Sequence, residues 1–329
     1  MRNTYSVPGI YDITATGSVA GFNFWNMFDL SASNLYDACK LISIKQWGDL
    51  IMTGGANGGF ASNSGQCFRG CGNLVGVDAT DIPVWGDSKS TRAMFSLCSN
   101  LSYINNINNW YVNGTIHPTI AYIPSLFSMF NACTSLQFQD ASSTNINLSL
   151  WDVTNITNMR GMFQLCDKFN GVLWKTLKSG NVDLRNMFYG AGNFNNGGSN
   201  VGIQQWNTDD VTRMDSMFQS AFAFNSDISA WDTGNVTNME FMFAGNAVSN
   251  HIFNQPIGGW NVDNVNNMVG MFSHNTSFDQ NISGWNVSKW SQVNNTDFPL
   301  SNAVTPSLNL STSNYNALLL AWDQYTYPN

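Results

Sequence analysis

The sequence predicts a solenoid of β-rich parallel coils with short helical turns, closed by an N-terminal β cap and a C-terminal helical cap. Three observations carry this. A Met-Phe pair recurs along the chain, a Trp precedes it at a nearly fixed distance, and the composition is crowded with turn formers. Of 329 residues, 46 are Asn and 20 Asp against a single Glu. Asn, Asp, Ser and Gly are poor in helix interiors, so long helices are not expected over most of the chain.

Within the repeat, Met-Phe pairs start at Met94, Met129, Met162, Met187, Met217, Met242 and Met271, with spacings of 35, 33, 25, 30, 25 and 29 residues. Trp151, Trp174, Trp206, Trp231 and Trp260 precede the next Met by 11, 13, 11, 11 and 11 residues, and Trp285 continues the series. Upstream, Cys67-Phe68 replaces Met-Phe, and Trp47, Trp85 and Trp110 stand in the Trp position. The period gives about nine coils between residues 42 and 298, each too short to bury its apolar face without its neighbours. Each unit reads as a short strand near Val-Thr-x-Met, a helical turn at Met-Phe-x-x-Cys/Ala, and an extended stretch ending at Ile-x-x-Trp. The expected core ladder comprises Met162, Phe163, Met187, Phe188, Met217, Phe218, Met242, Phe243, Met271 and Phe272. Trp151, Trp206, Trp231, Trp260 and Trp285 join it, as do Cys71, Cys98, Cys133 and Cys166.

Coil stacks need covered ends. Alternating segments at 6–16 and 21–28 predict a β cap over 1–40. The solenoid takes 41–298 and a helical cap 299–329, making one complete domain. Behind a Ser/Thr cap, Tyr315, Leu318, Leu319, Trp322 and Tyr325 recur at helical spacing.

The unit Phe224-Asn-Ser-Asp-Ile-Ser-Ala-Trp-Asp-Thr-Gly-Asn-Val-Thr-Asn-Met-Glu-Phe-Met-Phe resembles the roughly 26-residue repeat of bacterial surface proteins related to BspA-like leucine-rich-repeat proteins. Leu41-Ile-Ser-Ile-Lys-Gln-Trp-Gly-Asp and Phe68-Arg-Gly-Cys-Gly-Asn-Leu resemble that family's opening coils. The resemblance spans nearly the whole chain. It implies a leucine-rich-repeat-like solenoid, found on cell surfaces and in some large or tailed viruses, with adhesive or unknown function. It brings no shared catalytic residues.

The net charge of −8 excludes a broad basic footprint for nucleic acid. From Asp215 onward Lys289 is the only basic side chain against eight carboxylates, which also disfavours an anionic membrane. No apolar run reaches the length of a transmembrane helix, and Met1–Gly9 has no signal-peptide shape.

Catalysis finds little support. His117, His251 and His274 fall in different coils, and no nucleophile elbow or metal-protease motif occurs. Asp209-Asp210 is the one adjacent carboxylate pair, and strand neighbours face opposite ways. Cys71, Cys98, Cys133 and Cys166 share a slot four residues after Met or its stand-in. Ala191, Ala221, Asn246 and Asn275 fill it later, which reads as a small buried position of free thiols. Disulfides between neighbouring coils are a lesser alternative. Cys67-x-x-x-Cys71 lacks the partners of a tetrahedral metal site. No metal and no cofactor are expected.

Binding candidates sit on insertions. The arc from Met to Trp is 14 residues at 217→231 and 271→285, and grows to 22, 19 and 18 at 129→151, 187→206 and 242→260. The loops Gln137–Asn147, Gly192–Gly202 and Ala247–Pro256 therefore project from one edge. A further insertion lies between Trp110 and Met129. Aromatic and amide side chains on loops suit recognition, giving the candidates Tyr111, His117, Tyr122, Phe194, Asn195, Asn196, His251 and Phe253; neutral loop drift is the competing reading.

The expectation is a non-enzymatic, surface-displayed recognition or structural module. Its partner is a protein or glycan on a host or virion surface, with no nucleic acid and no direct membrane insertion, and symmetric assembly with other structural proteins is possible. A virion decoration or receptor-binding protein is favoured, a bacterial adhesin on the cell surface or secreted is the alternative, and an Asp-dependent carbohydrate-active enzyme stands third.

Overall fold

The computed structural model describes residues 41–48, 51–52, 66–85, 91–110, 125–137, 148–177, 182–288 and 310–323. The expected N-terminal cap and part of the C-terminal one lie outside these residues.

Regular strand is scarcer than the sequence reading expects. Five two-residue strands occur among the described residues: β1 (Ser43–Ile44), β2 (Ile51–Met52), β3 (Gly76–Val77), β4 (Val84–Trp85) and β5 (Tyr103–Ile104). They pair in parallel, β1 with β3 with β5, and β2 with β4. Further along, the strand shrinks to single parallel bridges four residues before Met, as in Asn158↔Asp183 and Arg213↔Asn238↔Asn267. The Asn or Asp at these positions turns its side chain onto its own backbone. Asn158 Oδ1 accepts from Arg160 N–H at 3.1 Å, and Asn238 Oδ1 from Glu240 N–H at 2.9 Å. Such local bonds compete with an extended ladder.

The Met-Phe segment is not helical. In all seven Met-Phe coils the residue before Met has φ between 50° and 61°, whether Ala93, Ser128, Gly161, Asn186, Ser216, Phe241 or Gly270. A second left-handed residue follows three places after Met in six of them, as at Ala132 and Leu165. This alternation aims successive N–H groups in two directions. Met129, Asn131 and Cys133 donate within the coil to Leu126, Ser128 and Phe130, at 3.1, 3.1 and 3.0 Å. Leu126, Ser128, Phe130 and Ala132 donate to the next coil, at Asn158, Arg160, Met162 and Gln164, over 2.7–2.9 Å. The same Phe-to-Met link joins every neighbouring pair from Phe68→Met94 to Phe243→Met271. Left-handed L-residues cost about 1 kcal/mol each, a cost offset here by the backbone hydrogen bonds that these turns make within and between coils.

The interior is two aromatic columns and a third of Trp. Phe95, Phe130, Phe163, Phe188, Phe218 and Phe243 stack face to face with centroids 5.6–5.8 Å apart. Phe272 continues this column at 5.9 Å from Phe243, and Phe169, Phe194, Phe224, Phe253 and Phe278 form the second column, each touching a ring of the first at 3.8–4.1 Å. Trp151, Trp174, Trp206 and Trp231 stack at 5.8–6.0 Å. The indole N–H of Trp231 closes a 2.9 Å bond to the Ile203 carbonyl one coil back, and Trp260 and Trp285 repeat this on Ile228 and Ile257.

The residue after each second-column Phe forms a polar spine. Asn170 Oδ1 accepts from Asn195 N–H at 2.8 Å, Asn195 from Asn225 and Asn225 from Asn254 at 2.9 Å, and Asn254 from Asp279 at 2.8 Å. Asp279 ends it by accepting from Ser311 N–H and the Asn314 amide, both at 2.8 Å. That anchors α1 (Thr312–Trp322), whose N-cap is Ser311. Leu318 and Trp322 of α1 are buried, whereas Tyr315 and Leu319 are about half exposed at 51% and 48%.

Candidate functional site

Five of the eight sequence-derived binding candidates lie among the described residues; four of them are fully buried, and Asn195 is part-exposed. Phe194 and Phe253 are fully buried in the second aromatic column. Asn196 is fully buried, its amide donating to the carbonyls of Ser199 and Val201 and its Oδ1 accepting from Leu173 N–H. Asn195 is a rung of the polar spine, also bonded to Ser226 Oγ at 3.0 Å. His251 is fully buried, with Nε2 3.0 Å from the Phe218 carbonyl and Nδ1 accepting from Phe253 N–H at 3.1 Å. Within the described loops Phe194, Asn196, His251 and Phe253 turn inward, Phe194 and Phe253 because each coil needs a ring in the second column, whereas Asn193, Asn200 and Asn250 are exposed. Tyr111, His117 and Tyr122 lie outside the described residues.

His251 also corrects the small-residue slot. Cys98, Cys133 and Cys166 each give their thiol to the preceding coil's Phe carbonyl, at 3.0, 3.0 and 2.9 Å. In the Met242 coil that acceptor is Phe218, and His251 reaches it while Asn246 is exposed. Burial pushes the Cys133 and Cys166 thiols well above their ordinary value. It pulls His251 down to about 4 against the support of the Phe218 carbonyl, so the ring is neutral. Cys67, Cys71, Cys98, Cys133 and Cys166 are free and buried. Among the described residues no group of His, Cys, Asp or Glu is arranged to hold a metal, and no helix is long and apolar enough to cross a membrane.

What faces outward is a pair of columns that the sequence reading passed over. Two residues before each Met stand Arg92, Phe127, Arg160, Arg185, Asp215, Glu240 and Val269, all part-exposed. Four before it, from Met129 to Met271, stand Ser125, Asn158, Asp183, Arg213, Asn238 and Asn267. The buried residue between them turns both columns to the same side, so Arg185 pairs with Asp183 at 2.6 Å and Arg213 with Asp215 at 2.8 Å. Arg92 lies 4.5 Å above the Phe127 ring, a cation–π contact. Burial opposes the charge on Asp183, yet the bonds from Arg185, with Arg160 nearby, hold its carboxyl below the ordinary range. Arg185 is raised by the same pairing, with Asp215 adding to it. The findable signal is charge at constant offset from Met, visible once the coils are written one beneath another.

A second exposed line is the turn after Trp. Asn207, Asp232 and Asn261 each accept from the N–H two residues on, over 2.8–3.2 Å. Asn235 and Asn264 donate to the carbonyls of Asp209 and Gly234 in the preceding coil, both at 2.7 Å. Asp209 and Asp210 are exposed on this ridge.

The repeat that builds both lines is also what a family model detects. The model described as Mycoplasma protein of unknown function, DUF285, matches residues 66–201 and 196–312. The chain belongs to this family. The DUF285 match takes in every Met-Phe coil and reaches the start of α1. No curated protein and no solved structure matches the chain.

Proposed function

We propose that this DUF285 chain is a non-enzymatic recognition or structural module displayed on a bacterial surface, akin to the BspA-like surface proteins that its repeat resembles. Its architecture on this reading is a leucine-rich-repeat-like solenoid. One observation carries the proposal. Inward positions repeat Met, Phe, Trp, Cys/Ala and Asn almost without change, while the outward position two before Met runs Arg, Phe, Arg, Arg, Asp, Glu, Val. A constant frame with a varied surface is what a recognition scaffold needs, since rigid elements place contact residues precisely enough for specificity without ordering cost. The partner is a protein or glycan that meets this face. Burial of His251 and full commitment of its ring nitrogens take away the best acid–base candidate.

Membership in a family described from Mycoplasma favours a cell surface over a virion. The test is mass spectrometry of cell-envelope, secreted and particle fractions of the source. Enrichment with the envelope or medium supports the adhesin-like reading. Stoichiometric recovery in virus particles moves the protein to a virion surface, and recovery in the cytosol alone refutes display.

A further inference from the structure

The two outward columns are palindromic in charge and size. The centre of the palindrome falls between the Met187 and Met217 coils, which are directly linked by Phe188 N–H to Met217 O at 2.9 Å. Reading outward from it, the column two before Met pairs Arg185 with Asp215, Arg160 with Glu240 and Phe127 with Val269. The column four before Met pairs Asp183 with Arg213 and Asn158 with Asn238. Opposite charges meet opposite charges, apolar meets apolar, and amide meets amide.

We infer that this face docks against the same face of a second copy, antiparallel, about a two-fold axis lying across the coils between Met187 and Met217. Such an axis keeps each column opposite itself and reverses its direction, so every pair above becomes an intermolecular contact made twice. The repeat supplies the register, because both copies share one coil pitch. Other antiparallel registers fail, because a shift of one coil sets Arg185 against Arg185 or Asp215 against Asp215. Parallel packing about an axis along the column two before Met sets Arg160 against Arg160. Like charges at a contact are a strong penalty against the wrong arrangement.

The surrounding residues fit. Arg160 makes no side-chain hydrogen bond among the described residues, and its guanidinium acts on Asp183 only through charge. Glu240 is bonded through Oε2 to the Asn267 amide, which leaves Oε1. Arg185–Asp183 and Arg213–Asp215 present two neutral, hydrogen-bonded pairs at the centre, where the second copy's pairs lie crosswise above them.

The experiment is sedimentation velocity over a range of protein concentration at low and high salt, on wild type, Arg160→Glu, Glu240→Arg and an equimolar mixture of the two variants. Both sites are part-exposed, so the variants should keep the wild-type circular dichroism; should either misfold, Arg160→Gln and Glu240→Gln replace them as simple weakeners. The expected result is a wild-type dimer weakened by salt, with either charge reversal alone raising the dissociation constant about tenfold or more. The mixture should recover the dimer, because each Arg160–Glu240 contact then regains opposite charges. A wild type monomeric throughout overturns the proposal. So does a dimer indifferent to both reversals, or one that mixing does not restore. Should the monomeric wild type instead bind an anionic polymer such as heparin, with loss in Arg160→Glu, the face serves an acidic ligand and not a second copy.

Discussion

His251 Nε2 lies 3.0 Å from the Phe218 carbonyl oxygen, the place that thiols occupy three times earlier in the stack. The neighbouring nitrogen is equally committed, since Nδ1 accepts from Phe253 N–H. A neutral ring with the proton on Nε2 satisfies both bonds, and a protonated one forces N–H against N–H. Burial holds this imidazole at about 4 in the folded state, below its ordinary 6.5, while the Phe218 carbonyl pulls the other way.

The sign of the pH effect follows. Between 6.5 and about 4 the unfolded chain binds a proton that the folded chain refuses, so stability falls as pH drops through that window and is flat above it. The full loss is about 3 kcal/mol. Carboxylates such as Asp183 and Asp279, held below their ordinary value, add their losses only at lower pH. Thermal melts at pH 7.5 and 4.5 should show a larger drop in Tm for wild type than for His251→Cys; equal drops would remove His251 as the cause.

The polar spine gives a second expectation. Asn195 Oδ1 is the acceptor for Asn225 N–H and Ser226 Oγ. Asn195→Leu strands both groups and should cost about 1–3 kcal/mol, whereas Asn195→Asp keeps the acceptor and should cost less. Urea unfolding with an unchanged slope measures the difference.

Left-handed positions give opposite-signed substitutions. Ala132 sits at φ 59°, so Ala132→Gly should be neutral or stabilising by up to about 1 kcal/mol. Gly270 sits at φ 60°, and an added Cβ would meet the Phe241 ring at 2.3 Å. Gly270→Ala should lower stability by about 2 kcal/mol or more. The same denaturant curves read both.

Buried thiols should resist modification. Cys67 is pushed up to about 12 by burial, and Cys98, Cys133 and Cys166 also donate to carbonyls. Thiolate is the reactive form, so an aromatic disulfide reagent at pH 8 should leave these four thiols intact in the native protein and titrate them in denaturant. Rapid native reaction at any of them would contradict the packing.

The Met-Phe register is legible because each coil presents the same slot to its neighbour, and a stacked ring accepts little else. Phe194 and Phe253 were harder to place, since they lie on long arcs rich in Gly and Asn that look like loops. Their true signal is the dipeptide Phe-Asn, shared by Phe169-Asn170, Phe194-Asn195, Phe224-Asn225 and Phe253-Asn254. Counting four from Met242 gives Asn246, but the chain detours through 247–250 before His251 reaches the slot. Space fixes that position, whereas sequence offset does not. Turn conformation stayed hidden for another reason: Ala, Ser, Leu and Phe carry no mark of positive φ. Only the surrounding hydrogen bonds impose it.

Surface display is the central claim, and protease shaving of intact source cells tests it most directly. Mass spectrometry of the released peptides should find sequence from this chain while cytosolic markers stay intact, with loss of the chain from the cells afterwards. Full protection in intact cells, with cleavage only after lysis, would contradict the account.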